Sequence, residues 1–176
     1  MKKYIIFLIP VVFLLVQCDQ TPVPTPNIPD LPRATQEGKY TIGCYINGKP
    51  WVPKPYISIG GSRYLEVTYD TSRANFFALS SNNYIRDSVN DYLRFYVNNA
   101  SIGNNNILFF PEGIFRGGAS SKYKVFILDT TKLNFLKLNK INTNDRIISG
   151  QFQFTAITDD RHDTIIITDG RFDTKF

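Results

Sequence analysis

Apolar and polar side chains alternate at every second residue through most of this chain after residue 40. In Ile147 to Ile157, Phe152, Phe154 and Ala156 fall on one side and Gln151, Gln153 and Thr155 on the other. The same period sets Leu65, Val67 and Tyr69 against Tyr64, Glu66 and Thr68, and Leu93, Phe95 and Val97 against Tyr92, Arg94 and Tyr96. Successive side chains of a strand point to opposite faces, so this is the pattern of sheets with one dry and one wet face, as antiparallel sheets permit. No 3.6-residue apolar pattern persists over three turns after Glu37, which excludes a helical core.

Turn signals divide the pattern into short pieces. Asn47-Gly48 is a two-residue hairpin signal joining Tyr40–Ile46 to Lys49–Pro53, because both residues accept the positive φ of a type I′ turn. Pro50 and Pro53 lack ladder donors and confine that second strand to an edge. Gly60-Gly61 turns the chain into Arg63–Asp70. Further strands are expected at Asn75–Ser80 (core Phe76 or Phe77, Ala78 and Leu79), Tyr92–Asn98, Ile107–Phe110 (closed by Pro111), Lys122–Asp129 and Leu133–Asn139. Tyr123, Val125 and Ile127 share one face of the Lys122–Asp129 strand. The last strands are Ile147–Ile157, Thr164–Thr168 and the run from Gly170 to Phe176. About nine or ten strands predict an all-β domain, an antiparallel β-sandwich or flattened barrel.

The N-terminus reads as an address. Lys2 and Lys3 precede the apolar Tyr4–Val16, and Leu15-Val16-Gln17-Cys18 resembles a bacterial lipoprotein cleavage box. The apolar run is signal-peptide length and too short to span a bilayer, which takes about 20 residues. Residues 1–17 are therefore read as a signal peptide and Cys18 as the lipidated N-terminus, where several acyl chains such as palmitate give stable attachment. Residues 18–37, with Pro22, Pro24, Pro26, Pro29 and Pro32, are read as an extended tether. Residues 38–176 form a single domain. The expected location is the cell envelope, lipid-anchored, with the outer membrane favoured.

Composition narrows the functions. The net charge of +5 falls to +3 without Lys2 and Lys3, and no run of Lys or Arg reaches three in the rest of the chain, so nucleic acid is not an expected partner. With Cys18 lipidated, Cys44 is the only other cysteine. It sits on the face of Tyr40, Ile42 and Ile46 and reads as a buried small hydrophobe. The only histidine, His162, lies in the charged loop Asp159-Asp160-Arg161-His162-Asp163, which reads as a hairpin tip. One His and one distant Cys cannot fill a zinc site. Glu66 and Glu112 have nothing to bring them together as a carboxylate pair. No enzyme, metal or cofactor is expected. Asp87-Ser88-Val89, Asp129-Thr130-Thr131 and Asp163-Thr164-Ile165 match a loose O-glycosylation triplet.

Tyr45, Trp51, Tyr64, Tyr92 and Tyr96 fall opposite the expected core. Aromatics there offer flat apolar area with a polar handle, as glycan- and protein-binding faces use. The expectation is a noncatalytic module binding a glycan or an envelope protein. The alternative is a structural or accessory subunit of an envelope assembly.

Two stretches carry a resemblance. Cys44-Tyr45-Ile46-Asn47-Gly48-Lys49-Pro50-Trp51 and the closing Ile148–Ala156 and Ile167–Asp173 runs resemble the opening and closing motifs of a family of small Bacteroidota lipoproteins, a domain of unknown function. The resemblance lies at the two ends of the mature domain. It implies a compact, membrane-anchored all-β domain and no particular reaction.

Cys18→Ala is expected to shift the protein from the membrane pellet to the soluble fraction and to abolish labelled palmitate incorporation. Unchanged pelleting would exclude the anchor.

Overall fold

The computed structural model describes residues 30–54, 64–85, 89–116 and 124–176, with side chains described for all of these but 84–85, 89–90 and 109–116. Cys18, the leader and most of the tether lie outside the described residues. The described residues form eleven strands and one short 3₁₀ turn: β1 (Thr41–Ile46), β2 (Lys49–Trp51), β3 (Leu65–Asp70), β4 (Phe76–Ile85), β5 (Val89–Val97), β6 (Gly103–Asn105), β7 (Leu108–Arg116), β8 (Lys124–Leu128), β9 (Phe135–Asn142), β10 (Ile147–Ile157) and β11 (Thr164–Lys175). All pairings are antiparallel. The architecture is all-β and sandwich-like, as the alternation predicts.

The strand order is β2-β1-β11-β10-β8-β7-β5-β4-β3, with β9 also on β10 and β6 on β9. β8 pairs with both β10 and β7, and so joins a first sheet (β2, β1, β11, β10, β9, β6) to a second (β7, β5, β4, β3). The two sheets close on a core of phenylalanines. Phe77 and Phe95 of the second sheet meet rings of the first: Phe77 lies 5.7 Å from Phe172, and Phe95 lies 5.4 Å from Phe152 and 5.9 Å from Phe154. All five are buried, and each contributes about 1.5–3 kcal/mol by leaving water.

The Asn47-Gly48 turn has φ of 50° and 75°, the left-handed pair a type I′ hairpin needs. It places Lys49 opposite Ile46, and β2 lies at the edge of the strand order, where Pro50 costs no ladder bond.

Several boundaries differ from the sequence pattern. Tyr40 precedes β1 with φ of 56° and is half-exposed, so it does not share the buried face of Ile42, Cys44 and Ile46. In β4 the inward set is Phe77, Leu79 and Ser81, while Ala78 takes the other face. β7 does not stop at Pro111. Phe109 pairs with Phe95 and Ile114 with Leu93, so residues 110–113 stand opposite Arg94 alone. Pro111 is accommodated in this interruption, where no ladder donor is required. In β8 it is Phe126 that is buried, with Ile127 exposed; Tyr123 lies outside the described residues. β9 begins two residues after Leu133, which is exposed. The Asn-rich turn contains a further short strand, β6.

The largest difference is at the C-terminus, where two expected strands are one. In β11, Gly170 pairs with Phe152 and Ile167 with Phe154, so Thr168 and Asp169 face Gln153 alone. This bulge, with Asp169 at φ 52°, shifts the inward phase from Ile165 and Ile167 to Phe172. The phase change is why the alternation looks broken in the sequence. Gly170 is required here for close approach. A Cβ there would lie 2.4 Å from two carbons of the Phe152 ring and 2.5 Å from the Phe152 carbonyl oxygen.

Gly170→Ala is therefore expected to destabilise the fold by about 3 kcal/mol in urea unfolding. A neutral result would mean that the Phe152 ring does not lie over this position.

Candidate functional site

The five aromatics read as one surface are dispersed. Tyr45 lies on β1 of the first sheet and is partly buried, and its hydroxyl acts electrostatically on the guanidinium of Arg171. Trp51 is only 6% exposed and belongs to the core cluster, a correction to its placement on an outer face. The reason is register. Trp51 pairs with Cys44, whose side chain points inward, so the indole follows it and removes a large apolar area from water. Its Nε1 has no hydrogen-bond partner. Tyr64 precedes β3, packs partly against the core and donates its hydroxyl to the Tyr40 carbonyl; burial raises its pKa. Only Tyr92 and Tyr96 share a face, the outer one of the second sheet.

That face also contains Phe76, which the sequence pattern offered as a core residue alongside Phe77. Phe76 lies 5.8 Å from the Tyr96 ring, and the Arg73 guanidinium sits 4.7 Å above the centre of the Phe76 ring. Local geometry brings Arg73 there. The Asp70 carboxylate caps the Thr71–Arg73 turn by accepting from Ser72 N at 2.9 Å and Ser72 Oγ at 2.7 Å, and these bonds hold its pKa below the usual value. Ala74 and Asn75 then adopt left-handed φ of 50° and 55° and fold the turn back over β4. Across the sheet, Ala78 pairs with Tyr96, Ser80 with Arg94 and Asn82 with Tyr92. The result is a row of partly exposed aromatics flanked by hydroxyl, amide and guanidinium groups.

The outer face of the first sheet is instead covered around Arg171 and Asp173. Asp173 and Arg171 alternate with the inward Phe172 yet are 1% and 7% exposed. The Asp173 carboxylate accepts from Thr35 Oγ1 at 2.5 Å and from the amides of Glu37, Gly38 and Lys39 at 2.9, 2.8 and 3.3 Å. Lys140 Nζ donates to the Gln36 carbonyl at 2.9 Å. Pro32 packs where Gly43 has no side chain, since a Cβ there would be 2.7 Å from its Cδ. Leu31 is also buried. The last residues assigned to the tether thus form a strap across β1 and β11. Burial pulls the Arg171 pKa down, against the attraction of Asp169 and Tyr45.

A groove of about 600 Å³ opens where β3 meets the end of β11. Tyr40 and Tyr64 lie at one part of it, Leu65 to Thr68 line it in unbroken succession, and Arg146, Lys175 and Phe176 complete it. The Arg146 guanidinium lies 5.7 Å from the Phe176 ring centre and donates through Nε to the Phe176 carbonyl.

The remaining candidates do not converge. His162 is exposed at the β10–β11 hairpin tip, where its amide donates to Asp160 at 3.2 Å. Thr158 Oγ1 donates to the same carboxylate at 2.5 Å, and together these bonds lower the Asp160 pKa. Asp163 pairs with Lys124. Asp129 accepts from Thr131 N and Oγ1, which lowers its pKa and makes that triplet part of a closed turn; Asp87 and Ser88 lie outside the described residues. Cys44 is a fully buried thiol. Glu66 is exposed on β3, and the Glu112 side chain lies outside the described residues. Among the described residues no three His, Cys, Asp or Glu side chains gather as a metal site, and no helix is long and apolar enough to cross a membrane.

Comparison with protein-family models, with curated proteins and with solved structures gives no match to this chain.

Proposed function

We propose that this chain is a noncatalytic lipoprotein module of the cell envelope, held to the membrane through Cys18, that binds a glycan or protein partner on the outer face of its second sheet. The observation that supports this reading is the contrast between the two outer faces. The first is occupied around Arg171 and Asp173 by the chain's own strap, anchored on Asp173. The second presents Phe76, Tyr92 and Tyr96 beside Arg73 and Arg94. Rings with polar neighbours stack on the apolar faces of sugars or bury against a protein surface. The motifs shared with Bacteroidota lipoproteins agree with an exported, anchored domain. Dispersal of the original five aromatics favours a second reading, an accessory subunit that docks permanently within an envelope assembly.

Tyr92→Ala and Tyr96→Ala are expected to shift stability by no more than about 1 kcal/mol, because both rings are partly solvated in the folded protein. Both should lose the glycan-array signal of the parent protein. A parent protein silent on the array would remove the glycan arm, and variants that unfold would assign these rings to structure.

A further inference from the structure

The edge of β3 has its own chemistry. β3 is the terminal strand of the order and, among the described residues, pairs with β4 only. Asn82 N donates to the Tyr64 carbonyl at 2.9 Å, so the 64/82 pair is a hydrogen-bonded one. Antiparallel pairs alternate between hydrogen-bonded and non-hydrogen-bonded. Residues 66, 68 and 70 therefore direct their main-chain groups at β4. Leu65, Val67 and Tyr69 direct theirs the other way, and Leu65 and Val67 line the groove. Among the described residues these outward amides and carbonyls have no backbone partner. A groove lined by four successive residues of a strand, Leu65 to Thr68, follows the strand's main-chain edge and not one of its faces.

The groove also carries charge. Lys175 and Arg146 stand on its far wall, both exposed, and Lys175 has no ion-pair partner among the described residues. Glu66 is the single carboxylate on the β3 side. Among the side chains lining the groove two cations face one carboxylate, Arg146 with its Nε already given to a Phe176 oxygen, across a strand edge without a backbone partner among the described residues.

We propose that this groove is a strand-addition site, taking an extended segment of an envelope protein that pairs with Leu65 and Val67 and presents a carboxylate to Lys175 and Arg146. Main-chain pairing supplies affinity independent of sequence, and the cations select acidic segments. The site is separate from the aromatic face on the second sheet, so either can stand without the other. Free edges are reactive toward any extended chain. The Tyr64 to Tyr40 hydrogen bond closes one end of this one and limits its length.

The test uses the full chain in detergent and three nonapeptide libraries with alternating apolar positions: one with a fixed central Asp, one with a fixed central Lys, and the Asp library with alternate amides N-methylated. The Asp library should be retained about fivefold better than the Lys library, the gain an exposed ion pair can give. N-methylation should abolish retention. Lys175→Glu, a change at an exposed position outside the core cluster, should reverse the Asp-over-Lys preference. Equal retention of the Asp and Lys libraries would overturn the proposal, as would indifference to N-methylation. Retention of polygalacturonate without any peptide would also overturn it, making the groove a site for acidic sugars.

Discussion

The Asp173 carboxylate is 1% exposed and takes four hydrogen bonds from residues 35–39. A buried carboxylate is costly unless its oxygens are fully occupied by donors. Here the donors are three consecutive main-chain amides and one hydroxyl, all from a segment that would otherwise lead straight off the domain. The strap and the carboxylate therefore depend on each other. With the strap in place, the outward side chains of Arg171 and Asp173 are interior, Gly43 can receive Pro32, and Lys140 finds the Gln36 carbonyl. Residues 35–39 are thereby fixed against β11.

The core explains how two sheets of unequal size stay registered. Phe77 and Phe95 fill the space above Phe152, Phe154 and Phe172 with rings 5.4 to 5.9 Å apart, at angles from stacked to edge-on. Such pairs add about 0.5–1.5 kcal/mol each beyond the area they bury. The Phe152 ring fits only because Gly170 has no side chain, and Gly170 stands there only because the Asp169 bulge moves β11 by one residue. The bulge thus links packing in the core to the outward placement of Arg171 and Asp173. A single extra residue sets the inner and outer faces of the longest strand.

Much of this fold was legible in the sequence because a period of two leaves little freedom. β10, the inward sides of β3 and β5, the Asn47-Gly48 hairpin and the edge position of β2 all follow from local chemistry. The misread places share a cause: each is a break in the period. Pro111 looks like a stop until the register shows four residues facing one, and residues 168–170 look like a turn until the bulge joins them. The functional surfaces were less legible. Trp51 is inward because of its cross-strand partner, Cys44, which a single strand does not reveal. Phe76 and Tyr96 come together only through the pairing of β4 with β5. The strap left almost no local signal, since Asp173 is 134 to 138 residues from its donors.

The most direct measurement is amide hydrogen exchange of Glu37, Gly38 and Lys39 in the full chain, compared with an Asp173→Ala variant. The strap requires these amides to exchange at least about a hundredfold more slowly than in a free peptide, and to lose that protection in the variant. Exchange at free-peptide rates in the parent protein would contradict it and return residues 31–37 to the tether.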